Sequence, residues 1–279
     1  MRYLLLALPL VAAAAAAPDR ASDRAALLTA DRALAERTAA LGLTEGFLPA
    51  LSEQAAYLHP GAPLLRGADK IRALLQTPDS AGHVTWTPAF ADVSADGRLG
   101  YSYGFLRSTG SRGKYLACWV KDQRGWRIVA YARTRLVPVS DSAATPHRAA
   151  SGDAVRGPGD PSELIRADSS FSAMSVAQGA KPAFLAYATD DAISFGGGPG
   201  INDGRQAIGA AFDGFPSGAV LAWWPVAAVI AESGDLGCTV GEAKIESLKQ
   251  YSKYLTIWRR QRDGSWKFVA DGGNARPAP

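Results

Sequence analysis

Apolar and polar positions follow one order along this chain, and that order occurs twice. Leu27, Leu34, Thr38 and Leu41 recur at helical spacing, which predicts an amphipathic helix. A short helix is expected around Phe47, then an apolar segment from Ala55 to Leu58, then a loop with a small helix from Gly67 to Leu75. The period then changes. Val84 to Val93 is long and rich in β-formers, Asp96-Gly97 is a hairpin turn, and three further strands follow between Gly-containing turns. The second run opens at Asp160-Pro161-Ser162-Glu163, with a capping Asp, Pro at the first helical position and Glu at the reciprocal capping position. It continues through a short helix near Phe184, an apolar segment from Ala192 to Phe195 and a small helix from Gly204 to Phe212. A strand from Ala219 to Ala231, the turn Ser233-Gly234 and three more strands complete it. Helices first and antiparallel strands later predict an α+β class.

Shifted by 137 residues, the chain matches itself without a gap. Asp31 falls on Asp168, Phe47 on Phe184, Gly67 on Gly204, Trp86 on Trp223 and Pro88 on Pro225. Gly97, Leu99, Gly100 and Gly104 fall on Gly234, Leu236, Gly237 and Gly241. The shift grows to 139 at Lys114-Tyr115-Leu116 and Trp119, which meet Lys253-Tyr254-Leu255 and Trp258. It reaches 140 at Trp126 and Val129-Ala130, which meet Trp266 and Val269-Ala270. With seven Trp in 279 residues, a chance Trp match occurs at about one position in forty, so three pairs in one drifting register mark a true repeat. Val137 to Asp160 is rich in Ser, Ala, Gly and Pro and has no periodicity. The expected organisation is domain 1 over 20–137, a flexible linker over 138–159 and domain 2 over 160–275.

Arg2 followed by an apolar run from Tyr3 to Ala17 reads as a secretory signal peptide over residues 1–17. The run is too short for a stable membrane span. The expected location is therefore periplasmic or secreted. A net charge of +4 is dispersed, with no basic stripe interleaved with aromatics, so nucleic acid is not an expected partner. Cys118 and Cys238 occupy non-equivalent repeat positions in apolar strands, and buried free thiols are favoured over a bridge. Two Cys with His59, His83 and His147 have no metal-ligand spacing, and neither a metal nor a cofactor is expected.

In copy 2, Phe184-Leu185-Ala186-Tyr187-Ala188-Thr189-Asp190-Asp191-Ala192 and Gly204-Arg205-Gln206-Ala207-Ile208 are followed by Tyr254-Leu255-Thr256-Ile257-Trp258-Arg259-Arg260 and Gly264-Ser265-Trp266-Lys267. This series resembles a SnoaL-like domain of the nuclear transport factor 2 and ketosteroid isomerase superfamily. Copy 1 keeps Gly67, Ile71, Tyr115-Leu116, Trp119 and Gly125-Trp126-Arg127 of it. The resemblance implies two cone-shaped domains, each a curved antiparallel sheet wrapped around N-terminal helices to enclose a pocket. It also implies that the intrachain pair mimics a homodimer. It does not imply one activity.

Two residues are candidate acid–base groups. Asp31 lies on the apolar stripe of its helix, as Asp168 does in copy 2, and a carboxylate facing a core has a raised pKa unless it is paired. Its recurrence in both copies favours a structural role. His59 falls near the position where the resemblance places the aspartate base of ketosteroid isomerases, and its copy-2 counterpart is Gly196. The remaining isomerase positions hold Ala35 or Ser172, and Cys118 or Ile257, which argues against steroid isomerisation. Tyr57, Trp86, Tyr101, Tyr103, Trp119, Asp168, Trp223 and Trp258 are candidate pocket residues for a small apolar or aromatic ligand, with core packing as the competing role. Gly196 to Gly200 reads as a pocket rim, not a phosphate loop. The expectation is an exported ligand-binding or accessory protein. The alternative is an acid–base enzyme of isomerase, lyase or hydrolase type confined to domain 1.

Overall fold

A computed structural model describes residues 19–77, 84–138, 155–196, 198 and 200–279. The signal-peptide segment, His83, His147 and most of the expected linker lie outside the described residues. Copy 1 begins with helix α1 (Arg20–Gly42), which Asp19 caps by accepting from Ala21 N at 3.1 Å. A π-turn (Leu43–Phe47) and a 3-10 turn (Leu48–Ala50) lead into β1 (Leu51–Leu58) and the short β2 (Leu65–Arg66). Helix α2 (Ala68–Leu75) and strands β3 (Thr85–Val93), β4 (Leu99–Ser108), β5 (Ser111–Asp122), β6 (Gly125–Arg133) and β7 (Val137–Pro138) complete it.

Copy 2 repeats the order with α3 (Pro161–Gln178), α4 (Ala180–Tyr187), β8 (Ala188–Phe195), β9 (Asn202–Asp203) and α5 (Arg205–Ala210). Strands β10 (Leu221–Ile230), β11 (Leu236–Ile245), β12 (Gln250–Arg260) and β13 (Trp266–Ala275) follow. Asp160 caps α3 through Ser162 N at 2.9 Å. Glu163 does not close the reciprocal capping box; its Oε2 accepts from Arg260 Nη2 at 2.7 Å and from Trp266 Nε1 at 3.2 Å. A guanidinium and an indole on the sheet outcompete one backbone N–H, because a charge-assisted bond is the stronger.

The two sheets run β2-β1-β6-β5-β4-β3 and β10-β11-β12-β13-β8-β9. The expected all-antiparallel sheet is corrected in one respect: β1 pairs parallel with β6, and β8 parallel with β13. The helices between the first strand and the long hairpins carry the chain across, which makes each sheet mixed. Strand irregularities recur at Pro88/Phe90 and Pro225/Ala227, both on edge strands where Pro costs no ladder bond.

Each sheet has two working faces. The inner face of copy 1 packs on α1 around Leu27, Leu34, Phe47, Trp86 and Trp119, and that of copy 2 packs on α3 around Leu164, Phe171, Trp223 and Trp258. The approach is close because the sheet carries glycine beneath each helix. A Cβ on Gly100 would stand 2.6 Å from Leu27, and one on Gly237 would stand 2.3 Å from Leu164. The outer faces pack against each other in one buried cluster that includes Tyr101, Tyr103, Leu116, Cys118, Cys238, Leu255 and Ile257.

Cys118 and Cys238 form a disulfide within that cluster, which corrects the expectation of free thiols. Non-equivalence of the two positions was a poor guide. A contact across a pseudo-two-fold interface joins equivalent residues only on the axis itself. Here Cys118 stands opposite Tyr101 in its own sheet, and Cys238 stands opposite Ile257. Polar contacts fasten the same interface. Asp92 is buried and pairs with Arg20, Arg24 and Arg259. Burial pushes its carboxyl up, but Arg259, Arg20 and Arg24 outweigh that and hold it below the usual range.

The bridge closes a loop with a sequence separation of 120, for which loop-closure entropy gives about 4 to 5 kcal/mol of stabilisation. Thermal melts with and without reductant should show a large drop in Tm on reduction. A Cys118→Ala/Cys238→Ala variant should melt at the reduced value in both conditions.

Candidate functional site

A buried carboxylate ties each first helix to its sheet. Asp31 accepts from Trp86 Nε1 at 3.0 Å and from Tyr115 OH at 2.6 Å. Asp168 accepts from Trp223 Nε1 at 2.7 Å and from Tyr254 OH at 3.0 Å. Gly104 and Gly241 leave room for the two tyrosine rings, since a Cβ there would meet them at 2.8 Å and 2.5 Å. Behind each carboxylate, Trp119 Nε1 donates to Ser102 Oγ at 2.8 Å, and Trp258 Nε1 to Thr239 Oγ1 at 2.9 Å. Burial raises both carboxyls, Asp168 to about 6, against the lowering effect of these donors. Asp31 is 1% exposed and both its oxygens are occupied.

The two cones differ in what fills them. In copy 1, Tyr131 stacks on Tyr57 at 5.8 Å and on Tyr115 at 5.6 Å, and Phe47 meets it edge-on at 4.9 Å. About 10 Å³ remains, lined by Phe47, Tyr57 and Tyr131 with Trp86, Leu106 and Arg133. In copy 2 the register places Asp271 where copy 1 has Tyr131, Ser194 where it has Tyr57 and Gly273 where it has Arg133. Ala243 stands in for Leu106. Four large side chains become small or short, and a cavity of about 640 Å³ opens. That volume suits a drug-sized ligand.

The cavity walls combine Phe171, Phe184, Phe195, Trp223 and Tyr254 with Thr256, Asp271 and Arg276. Phe171 packs on Phe184 at 4.8 Å and on Trp223 at 4.5 Å, which makes a rigid aromatic floor. Asp271 sits at the inner end and accepts from Thr256 Oγ1 at 2.6 Å. Burial raises its carboxyl to about 7, against the Thr256 bond, and the nearby Asp168 adds to the rise. Lys253 is one step out of phase with Tyr254 and Thr256 and turns to the face shared with copy 1. There its Nζ donates to Asn274 Oδ1 and to Ala275 O at 3.0 Å, while Asn274 Nδ2 donates to Leu58 O and Arg133 O of copy 1. Burial, then Arg276, lowers Lys253 to about 7.

The sequence candidates distribute unevenly around this site. Trp223 lines the cavity, and Asp168 stands behind its wall through Trp223 and Tyr254. Trp258 is fully buried in the core of copy 2, and Trp119 in that of copy 1. Tyr57 and Trp86 fill the copy-1 cone, while Tyr101 and Tyr103 face the other copy. His59 lies at the interface. Arg133 Nη2 donates to its Nε2, so Nδ1 carries the proton and donates to Pro60 O at 2.9 Å. Burial, then Arg133, lowers its pKa to about 4. Its one lone pair is therefore held by a guanidinium, whereas a general base needs that pair within reach of substrate. In the glycine-rich stretch, Lys114 Nζ of the other copy donates to the carbonyls of Gly196, Gly198 and Gly200 at 2.8, 2.6 and 2.6 Å.

Asp271, Thr256 and Arg276 were not singled out in the sequence. The signal for Asp271 was one residue beyond the Val129-Ala130 and Val269-Ala270 match, where a tyrosine is replaced by a carboxylate inside an apolar strand. Among the described residues no group of His, Cys, Asp and Glu is placed to hold a metal ion, and no helix is long and apolar enough to cross a membrane.

An unfolded aspartate titrates near 3.8, and folded Asp271 near 7. Between these values the folded state keeps a proton that the unfolded chain has lost, so this group destabilises the fold as pH rises through that window. Asp271→Asn retains an acceptor for Thr256 and does not titrate. Urea denaturation of the two proteins should show the variant gaining on wild type from pH 4 to pH 7, then a level difference. A constant difference across that range would mean that Asp271 is solvated.

No family model and no curated protein matches the sequence. Solved structures do. An NTF2-like protein of unknown function from Pseudomonas putida is 17% identical, and the match covers 41% of this chain and 84% of that one at a TM-score of 0.34. A ketosteroid isomerase-like protein from Erwinia carotovora is 16% identical, over 40% and 93%, also at 0.34. An NTF2-like protein with a cystatin-like fold from Novosphingobium aromaticivorans is 17% identical, over 41% and 80%, again at 0.34. The chain is a tandem of two α+β bodies with mixed sheets, and the solved structures similar to it, each over about two fifths of its length, carry NTF2-like and ketosteroid isomerase-like names.

Proposed function

We propose that this protein binds a small, largely apolar or aromatic molecule in the cone of copy 2, with copy 1 as its structural support. The contrast between about 640 Å³ in one cone and about 10 Å³ in the other carries this reading. The aromatic floor offers flat apolar surface, and the few polar groups offer orientation. A disulfide between the copies supports an exported protein, periplasmic or secreted, because such bonds persist in oxidising compartments. Acid–base chemistry confined to copy 1 finds less support. His59 is committed to Arg133 and Pro60, and Asp31 is committed to Trp86 and Tyr115.

The test fills the cavity with the residue that copy 1 uses. Ala243→Leu installs the residue that copy 1 carries at the equivalent position, Leu106. Neutral two- and three-ring aromatic compounds should bind wild type in calorimetry. The variant should bind them at least about tenfold more weakly, a loss of about 1.4 kcal/mol, with an unchanged Tm. Equal binding by both proteins would place the ligand elsewhere.

A further inference from the structure

The cavity of copy 2 has two electrical ends. Along β12, five residue steps separate Tyr251 from Thr256, a span of about 17 Å at roughly 3.4 Å per residue. Lys249 and Arg276 stand at the outer end, where Arg276 lies over the ring of Tyr251 at 5.4 Å and pairs with Glu242 at 3.4 Å. Asp271 stands at the inner end, opposite Thr256 in the ladder. It is the one acidic side chain among the described lining residues, and none of the described Lys, Arg or His side chains pairs with it. Thr256 occupies one carboxyl oxygen. The second has no protein partner among the described residues.

The one charged side chain that shifts this carboxyl is itself acidic. Asp168 on α3 adds a second acidic group just behind the wall, and its own oxygens are taken by Trp223 and Tyr254. Phe171, Phe184 and Trp223 present π-faces, whose quadrupole attracts cations. Lys249, Lys253 and Arg276 also line the cavity, but Lys253 Nζ is committed to Asn274 Oδ1 and Ala275 O, and Arg276 to Glu242. An unpaired carboxylate in an apolar pocket is costly, and a hydrogen-bonding cation relieves that cost.

We propose that the ligand of this cavity is an amine: a protonated primary or secondary nitrogen on an aromatic body, with the nitrogen on Asp271 and the rings against Phe171, Phe184 and Trp223. The inference rests on the binding function proposed above and adds the ligand class. It has a pH signature. Only the ionised carboxyl pairs with an ammonium group, and burial raises the Asp271 carboxyl to about 7.

Calorimetry on the whole disulfide-bonded protein tests this with 2-(2-naphthyl)ethylamine and its neutral isostere 2-(2-naphthyl)ethanol. The amine should bind at least about tenfold more tightly than the alcohol at pH 8, the scale of one charge-assisted contact. It should bind about tenfold more weakly at pH 6, because the ionised fraction of a group titrating near 7 falls from about nine tenths to about one tenth. The alcohol should show no such dependence. In Asp271→Asn, confirmed as folded by its melting curve, the preference for amine over alcohol should shrink below about twofold, while Asp271→Glu should keep the sign of the pH dependence. Equal affinity of the two compounds for wild type, tighter binding at pH 6, or an amine preference that survives in Asp271→Asn would each overturn the inference and leave the cavity reading standing. If neither compound binds, the binding function fails and this inference fails with it.

Discussion

Each sheet of this protein commits its outer face to the other copy, and that packing constrains everything else. The shared cluster around Tyr101, Tyr103, Cys118, Cys238 and Ile257 is buried from both sides. Buried polar groups are costly unless paired, and there Asp92 draws three arginines and Asn274 donates to two carbonyls of copy 1. The outer faces leave about 230 Å³ between them, whereas the inner, helix-covered face of copy 2 encloses about 640 Å³. Both inner faces share one design, a helix held by a carboxylate that accepts from an indole and a phenol. What differs between the copies is the volume of a few side chains further along the cone.

That difference explains how a duplicated fold hosts one site. In copy 1 the stacked Tyr57, Tyr131 and Tyr115 rings make a solid core. In copy 2 the positions of the first two hold Ser194 and Asp271, and the space they vacate becomes the cavity. The carboxylates follow the same division. Asp31 and Asp168 are buried structural acceptors with their bonds complete, whereas Asp271 keeps one oxygen directed at open space.

Much of the fold was legible in the sequence. Helical spacing through Leu27 and Leu34, the Asp-Gly and Ser-Gly turns and the drifting tryptophan register are local signals that correspond to helices, hairpins and equivalent strands in the structure. The partners of Asp31 were not legible, because Trp86 and Tyr115 lie 55 and 84 residues away and meet it only through the folded sheet. The disulfide was not legible either, because a contact between the outer faces of two repeats need not join equivalent positions. His59 drew attention because histidine titrates near neutrality. Burial, and then the Arg133 guanidinium of β6, remove this property. The cavity itself is a volume left by absent side chains, and a gap has no motif.

The bridge between Cys118 and Cys238 has a topological consequence. The connection between the copies lies wholly inside the loop that this bridge closes. A protease that cuts anywhere in that connection therefore leaves one covalent molecule, with the cavity-bearing half still moored to its support. Release of that half requires two chemical events, hydrolysis of a peptide bond and reduction of the disulfide. Integrity of the pair is thus insensitive to either one alone.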